Sequence, residues 1–452
     1  MGERMVGEAG SRSTRRNALF VCLAVLLAVA ALWGGRLRDS ADLATARAAV
    51  AARDWPKAEG LLRSRLAAGQ RPGDAERQFL LGRVLRRQRR FGEAEEAFAA
   101  SIRAGWPRVQ VERQRTLARA QQGEVRVVEA EIVASMAAAE DDAYAEDCYE
   151  ALAEGFVSAY RMADARKCLG FWAQWRADDA LPAYWNGVVE ERYQKPVQAL
   201  EQYLRALELD PSLHRARLAA ARLELDTGRL EDARRHFDEC LAERPDEPEA
   251  VMGLADCLVR LGDLPGARQR YLDALGTDLT PAQAAQALTE LGQLALGEGD
   301  QKRAGMLLEE AVAVDPRGTR ARLSYAAVLA RIGDREGAER ERAEAERMAA
   351  LQRRLAEITH DLLGTPDDAD GRAEAGAIFL DQGFEREGLE WISSALEVDP
   401  GHGPSHRVLA DWYDARGDQA RAADHRRRAG DAERPGTRRA APAAGTGKRG
   451  AS

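Results

Sequence analysis

Asparagine is almost missing from this 452-residue chain, occurring only at Asn17 and Asn186, and β-branched runs are scarce outside the N-terminus. Strands draw on β-branched and aromatic residues, and aromatics make up 6% of the chain, so there is little from which to build a sheet. The five cysteines include no CxxC pair, which leaves zinc-ribbon and thiol-redox chemistry without support. The six histidines supply one close pair, His402 and His406, and Pro404 between them after Pro400-Gly401 places that pair in a loop entering a helix. No glycine loop with its lysine cradles phosphate, and no G-x-S-x-G elbow presents a nucleophile. No enzymatic activity, cofactor or metal is expected. The formal charge of −8 lacks the overall basic excess of a duplex binder, so no nucleic-acid partner is expected either.

What is abundant is alanine, leucine, arginine and glutamate, all strong helix formers. Alanines at 165, 199, 233 and 267 stand 34 residues apart, and Ala153, Gly187, Ala221 and Ala255 each precede one by twelve. A fixed period of this length marks stacked helix pairs. In one unit Ala221 lies in the first helix, Gly228 in the turn, Ala233 and Phe237 in the second helix, and Pro245 after its end. Glycine closes a helix in a left-handed conformation and proline is tolerated where no helical N–H is needed. The frame recurs at Gly82 and Phe98, at Gly292 and Ala304 after a 37-residue step, at Gly376 and Ala395, and at Ala410 and Ala422.

This pattern resembles the tetratricopeptide repeat (TPR) family over roughly residues 39 to 429, with Leu254-Ala255, Ala267, Tyr271 and Ala274 matching well. The early tryptophan of the motif is mostly absent, and Gly388 replaces an alanine of the second helix. The resemblance implies an all-α, right-handed superhelical solenoid of about eleven antiparallel helix hairpins, and a non-enzymatic scaffold binding partner peptides or helices in a concave groove. Positions two, five, nine and twelve of each first helix would line that groove: Phe79, Arg83 and Arg86; Arg115 and Arg119; Tyr184 and Val188; Leu218, Arg222 and Leu225; and Met252. The arginines would hold carboxylates of an acidic partner through charge-assisted bonds, with a solvated helix face as the plainer reading. The lysine and asparagine set of the chaperone-tail-binding members is not supported.

One long apolar run stands apart. Ala18 to Trp33 carries no charge and follows Arg12, Arg15 and Arg16. At about 1.5 Å per residue it spans roughly 25 Å, just enough to cross a bilayer. The expected organisation is a cytoplasmic basic tail (1–17), a transmembrane signal anchor or cleaved signal peptide (18–35), a solenoid over 39–363 ending in an extended helix, C-terminal hairpins over 369–429, and a disordered tail (430–452). The array would then be extracytoplasmic, serving assembly of an envelope complex. The extended helix begins at Arg335, and Met348, Leu351, Leu355, Ile358 and Leu362 step along it by three and four. That spacing either packs on the array itself or supports a homo-oligomer. Charge is segregated too: residues 71–119 carry twelve Arg against six acidic residues, and 124–154 carry ten acidic residues against Arg126. Aromatics crowd Phe156 to Tyr193, the likeliest apolar part of a binding surface.

Overall fold

The computed structural model describes residues 41–66, 73–138 and 141–432, and no strand occurs among them. The expected basic tail, apolar span and C-terminal tail lie outside these residues, apart from 430–432. Among the described residues, no helix is long and apolar enough to cross a membrane. By packing, the chain forms two units, Met1–Ala118 and Arg119–Ser452.

The first unit holds α1 (41–51), α2 (Trp55–Leu66), α3 (Asp74–Arg87), α4 (Phe91–Arg103) and nearly all of α5 (Arg108–Arg119). The second begins with a π-helical turn, Ala120–Glu124, in which Gly123 takes φ 105°, so α5 runs into α6 (Val125–Ala137) through a kink without a loop. There follow α7 (Asp142–Ser158), α8 (Met162–Trp175), α9 (Leu181–Arg192), α10 (Pro196–Leu209), α11 (His214–Thr227), α12 (Leu230–Glu243), α13 (Pro248–Leu261) and α14 (Leu264–Leu275). The last eight are α15 (Pro281–Gly297), α16 (Gln301–Val314), α17 (Thr319–Ile332), α18 (Arg335–Gly364), α19 (Ala369–Asp381), α20 (Glu385–Val398), α21 (Gly403–Ala415) and α22 (Gln419–Ala432). α3 packs on α4, and each odd-numbered helix from α7 to α21 packs on the helix that follows it.

Two dipeptides punctuate the array. Gly-Asp stands between first and second helices at 262–263, 299–300 and 333–334. Each glycine closes its helix or turn at φ 83–92°, a conformation that penalises a side chain, and each aspartate caps the next helix by accepting a backbone N–H at 2.9–3.0 Å. Asp-Pro stands after second helices at 210–211, 315–316 and 399–400. There each aspartate accepts the N–H two residues on, and proline forbids further helix. These are local devices, so hairpin ends follow from short stretches of sequence.

Within a hairpin, the small residue of the first helix receives a large one from the second, always sixteen positions later. A Cβ built on Gly82 would lie 2.4 Å from Phe98, on Gly187 2.5 Å from Tyr203, on Gly292 2.8 Å from Leu308 and on Gly376 2.7 Å from Ile392. Phe237 and Tyr271 stand sixteen after Ala221 and Ala255, and all four of these residues are buried.

α18 departs from the pattern. At 30 residues it is about 45 Å long, twice the other second helices, and Ala345, Met348, Ile358 and Leu362 are buried within the chain's own packing. Its far end delivers residues 366–397 to the start of the same unit. Arg372 donates to the carbonyls of Ala159 at 2.8 Å and Pro366 at 2.9 Å, Arg126 pairs with Asp367, and the rings of Tyr160 and Trp391 stand 5.8 Å apart. The start of the larger unit is thus tied to its α19–α20 hairpin.

Candidate functional site

Beyond its hairpin partner, each of several first helices touches a neighbouring first helix: α7 with α9, α11 with α13, α15 with α17, and α19 with α21. First helices that approach one another lie on the inside of the curve, which gives the larger unit a shared inner face. A polar ladder runs along it. Arg215 of α11 reaches across the ring of Tyr184, 4.4 Å away, to Glu150 of α7 at 2.9 Å. Arg222 pairs with Glu191 of α9, Gln286 donates to Asp256 of α13 at 3.3 Å, Arg320 pairs with Glu290 of α15, and Gln293 donates to Ser324 of α17 at 2.6 Å.

Carboxylates exceed cations on this face. Glu150, Glu154, Glu191, Asp226, Glu249, Asp256 and Glu290 share it with Arg215, Arg222 and Arg320. Burial pushes the carboxyls of Asp256 and Glu290 above the usual carboxylate range; Tyr271 opposes this at Asp256 and Arg320 opposes it at Glu290. Of these two, Glu290 is ion-paired with Arg320, whereas Asp256 is held by Tyr271 and Gln286 with no arginine of the ladder paired to it.

The residues expected in the groove fall into three settings. Phe79, Leu225 and Met252 are buried in hydrophobic clusters, Phe79 stacked on Trp106 at 5.0 Å. Tyr184, Val188 and Leu218 are half-buried at the edge of the core beneath the inner face. The arginines are engaged by the chain itself: buried Arg86 donates to Gln114 at 2.9 Å, Arg115 pairs with Glu95 and Glu112, Arg119 with Glu124 at 2.7 Å, and Arg222 with Glu191. Arg83 is half-buried and also has an interaction partner. Asp256 and Glu249 occupy positions nine and two of α13, so the same positional frame could have selected them.

Elsewhere, Phe156, Tyr160, Trp172 and Trp185 of the aromatic stretch are core, whereas Phe171 is 62% exposed. His402 bonds Ser405 and Asp370, and His406 turns to His425, so the His402–His406 pair does not converge. Cys148, Cys168, Cys240 and Cys257 are buried, and no disulfide joins them among the described residues.

Paired helices with an inner face of first helices define an all-helical repeat protein of the interaction-scaffold class. The tetratricopeptide repeat family model matches residues 43–108, 194–241 and 218–284, so these stretches are tetratricopeptide repeats. Cellulose synthase operon protein C of Pseudomonas fluorescens (strain SBW25) is 26% identical over 171 residues, 36% of this chain and 13% of that protein; the chain matches only a small part of that relative's length. Among solved structures, YrrB, described as a TPR protein with an unusual peptide-binding site, is 20% identical, covering 45% of this chain and 95% of its own, with a TM-score of 0.26. PilF of Pseudomonas aeruginosa is 18% identical, covering 52% and 99%, with a TM-score of 0.32.

Proposed function

We propose that the chain is a membrane-tethered scaffold whose larger unit binds a partner's peptide or helix along the inner face, in assembling an envelope complex. The carrying observation is the charge balance of that face, seven carboxylates beside three arginines that already hold carboxylates of their own. An acidic segment would have to displace those internal pairs, whereas a cationic one meets Asp256, which none of the three arginines pairs with, next to the Arg320–Glu290 pair. Leu323, 51% exposed and one turn along α17 from Arg320, offers apolar contact on the same helix. The tether rests on the uncharged run Ala18 to Trp33 behind its arginines, which orients the repeats away from the cytoplasm.

The binding reading is tested by titrating the full-length chain with two fluorescent amphipathic peptides of equal length, one Lys/Leu and one Glu/Leu. The Lys/Leu peptide should bind more tightly, and Asp256→Asn with Glu290→Gln should weaken it by about tenfold, roughly 1.4 kcal/mol. Preference for the Glu/Leu peptide would return the arginines to the central role. Release of the chain from membranes by alkaline carbonate would remove the tether.

A further inference from the structure

Three helix ends converge at one joint of the array. His214 opens α11, Cys240 lies in the last turn of α12, and Glu247 is the N-cap of α13. An imidazole nitrogen, the thiol sulfur and a carboxylate oxygen from these residues lie within 4.8 Å of one another, with His214 and Cys240 buried. We propose that His214, Cys240 and Glu247 form a binding site for a zinc-type divalent cation.

Three features point the same way. A tetrahedral zinc site with a 2.3 Å bond to sulfur and bonds of 2.0–2.1 Å to nitrogen and oxygen separates its ligands by about 3.3–3.6 Å, so side-chain rotation of roughly 1 Å would close this cluster around an ion. His214 bonds Glu247 through Nε2 and Glu243 through Nδ1, the latter at 3.0 Å, and Arg217 holds the other oxygen of Glu243 at 2.6 Å. Nε2 can therefore face the ion while Nδ1–H is fixed by a carboxylate, the outer arrangement that orients metal-bound histidines. The thiols of Cys168 and Cys257 donate to backbone carbonyls, whereas Cys240 has no hydrogen-bond partner among the described residues.

A cysteine coordinates a metal ion as the thiolate, so the Cys240 thiol must give up its proton on binding. Binding exchanges that proton for the ion: the S–H bond breaks, sulfur donates its pair to the metal, and H⁺ leaves to solvent. The sequence does not announce the site, because its ligands stand 26 and 7 residues apart and meet only when consecutive hairpins stack.

Cobalt(II) titrated into the purified full-length chain should give the thiolate-to-cobalt charge-transfer band and intense tetrahedral d–d bands, saturating at one equivalent and bleached by zinc. Cys240→Ala, an alanine at a position where sister repeats carry one, should fold normally, lose the charge-transfer band and weaken zinc binding at least about 100-fold. Glu243→Gln should keep the band and weaken binding by about 10–100-fold. Absence of the band in the native chain, or its survival in Cys240→Ala, would overturn the site.

Discussion

Glycine means two different things along these helices, and the neighbours decide which. Gly187 faces Tyr203 so closely that an added methyl would sit 2.5 Å from the ring. Gly170, on exposed α8 surface, has nothing within 4 Å. Gly187→Ala should therefore cost about 1–3 kcal/mol through overpacking. Gly170→Ala should gain about 0.5–1 kcal/mol through lower chain entropy. The midpoints of urea unfolding for the two variants should move in opposite directions, and movement in the same direction would refute the steric reading. This contrast explains what was legible at single positions. A small residue recurring with the repeat is visible in sequence because its partner lies a fixed sixteen residues away. The pairing of Arg222 with Glu191, or of Arg215 with Glu150 two hairpins away, was not visible, since it depends on the spacing between stacked helices.

Elements are where the chain was most readable, because Gly-Asp and Asp-Pro act within a few residues of where they stand. What local chemistry does not encode is the destination of a helix that runs past its hairpin. The apolar steps along α18 fit equally with packing on the array or on a second copy. Met348, Ile358 and Leu362 are buried within one chain, and Leu351 and Leu355 are half-buried. Met348→Ala should accordingly destabilise the larger unit by about 2–4 kcal/mol without changing the sedimentation coefficient of the folded protein. If that variant instead left unfolding unchanged and converted an oligomer to monomer, the seam would belong to an interface between copies.

At the scale of the whole larger unit, the joining of its start to the α19–α20 hairpin is the feature with the clearest consequence for conditions. Glu397 of α20 lies where that joint brings together Arg119, Glu124, Arg126 and Arg372. Burial first, and the neighbouring carboxylate of Glu124 second, raise its carboxyl to about 7 from an ordinary 4.5, while the three arginines oppose the shift. Between those values the joined form retains a proton that the separated form has released. Stability of the joint therefore falls as pH rises from about 4.5 to 7, the reverse of what an ion-paired carboxylate contributes. Amide hydrogen exchange at residues 159–161 and 366–372 should report slower opening at pH 5 than at pH 8, after correction for the intrinsic exchange rate. Glu397→Gln, which mimics the protonated group, should flatten that dependence and protect the joint at pH 8. An unchanged slope in Glu397→Gln would assign the pH response to another group, and faster opening at pH 5 would reverse the sign of the coupling.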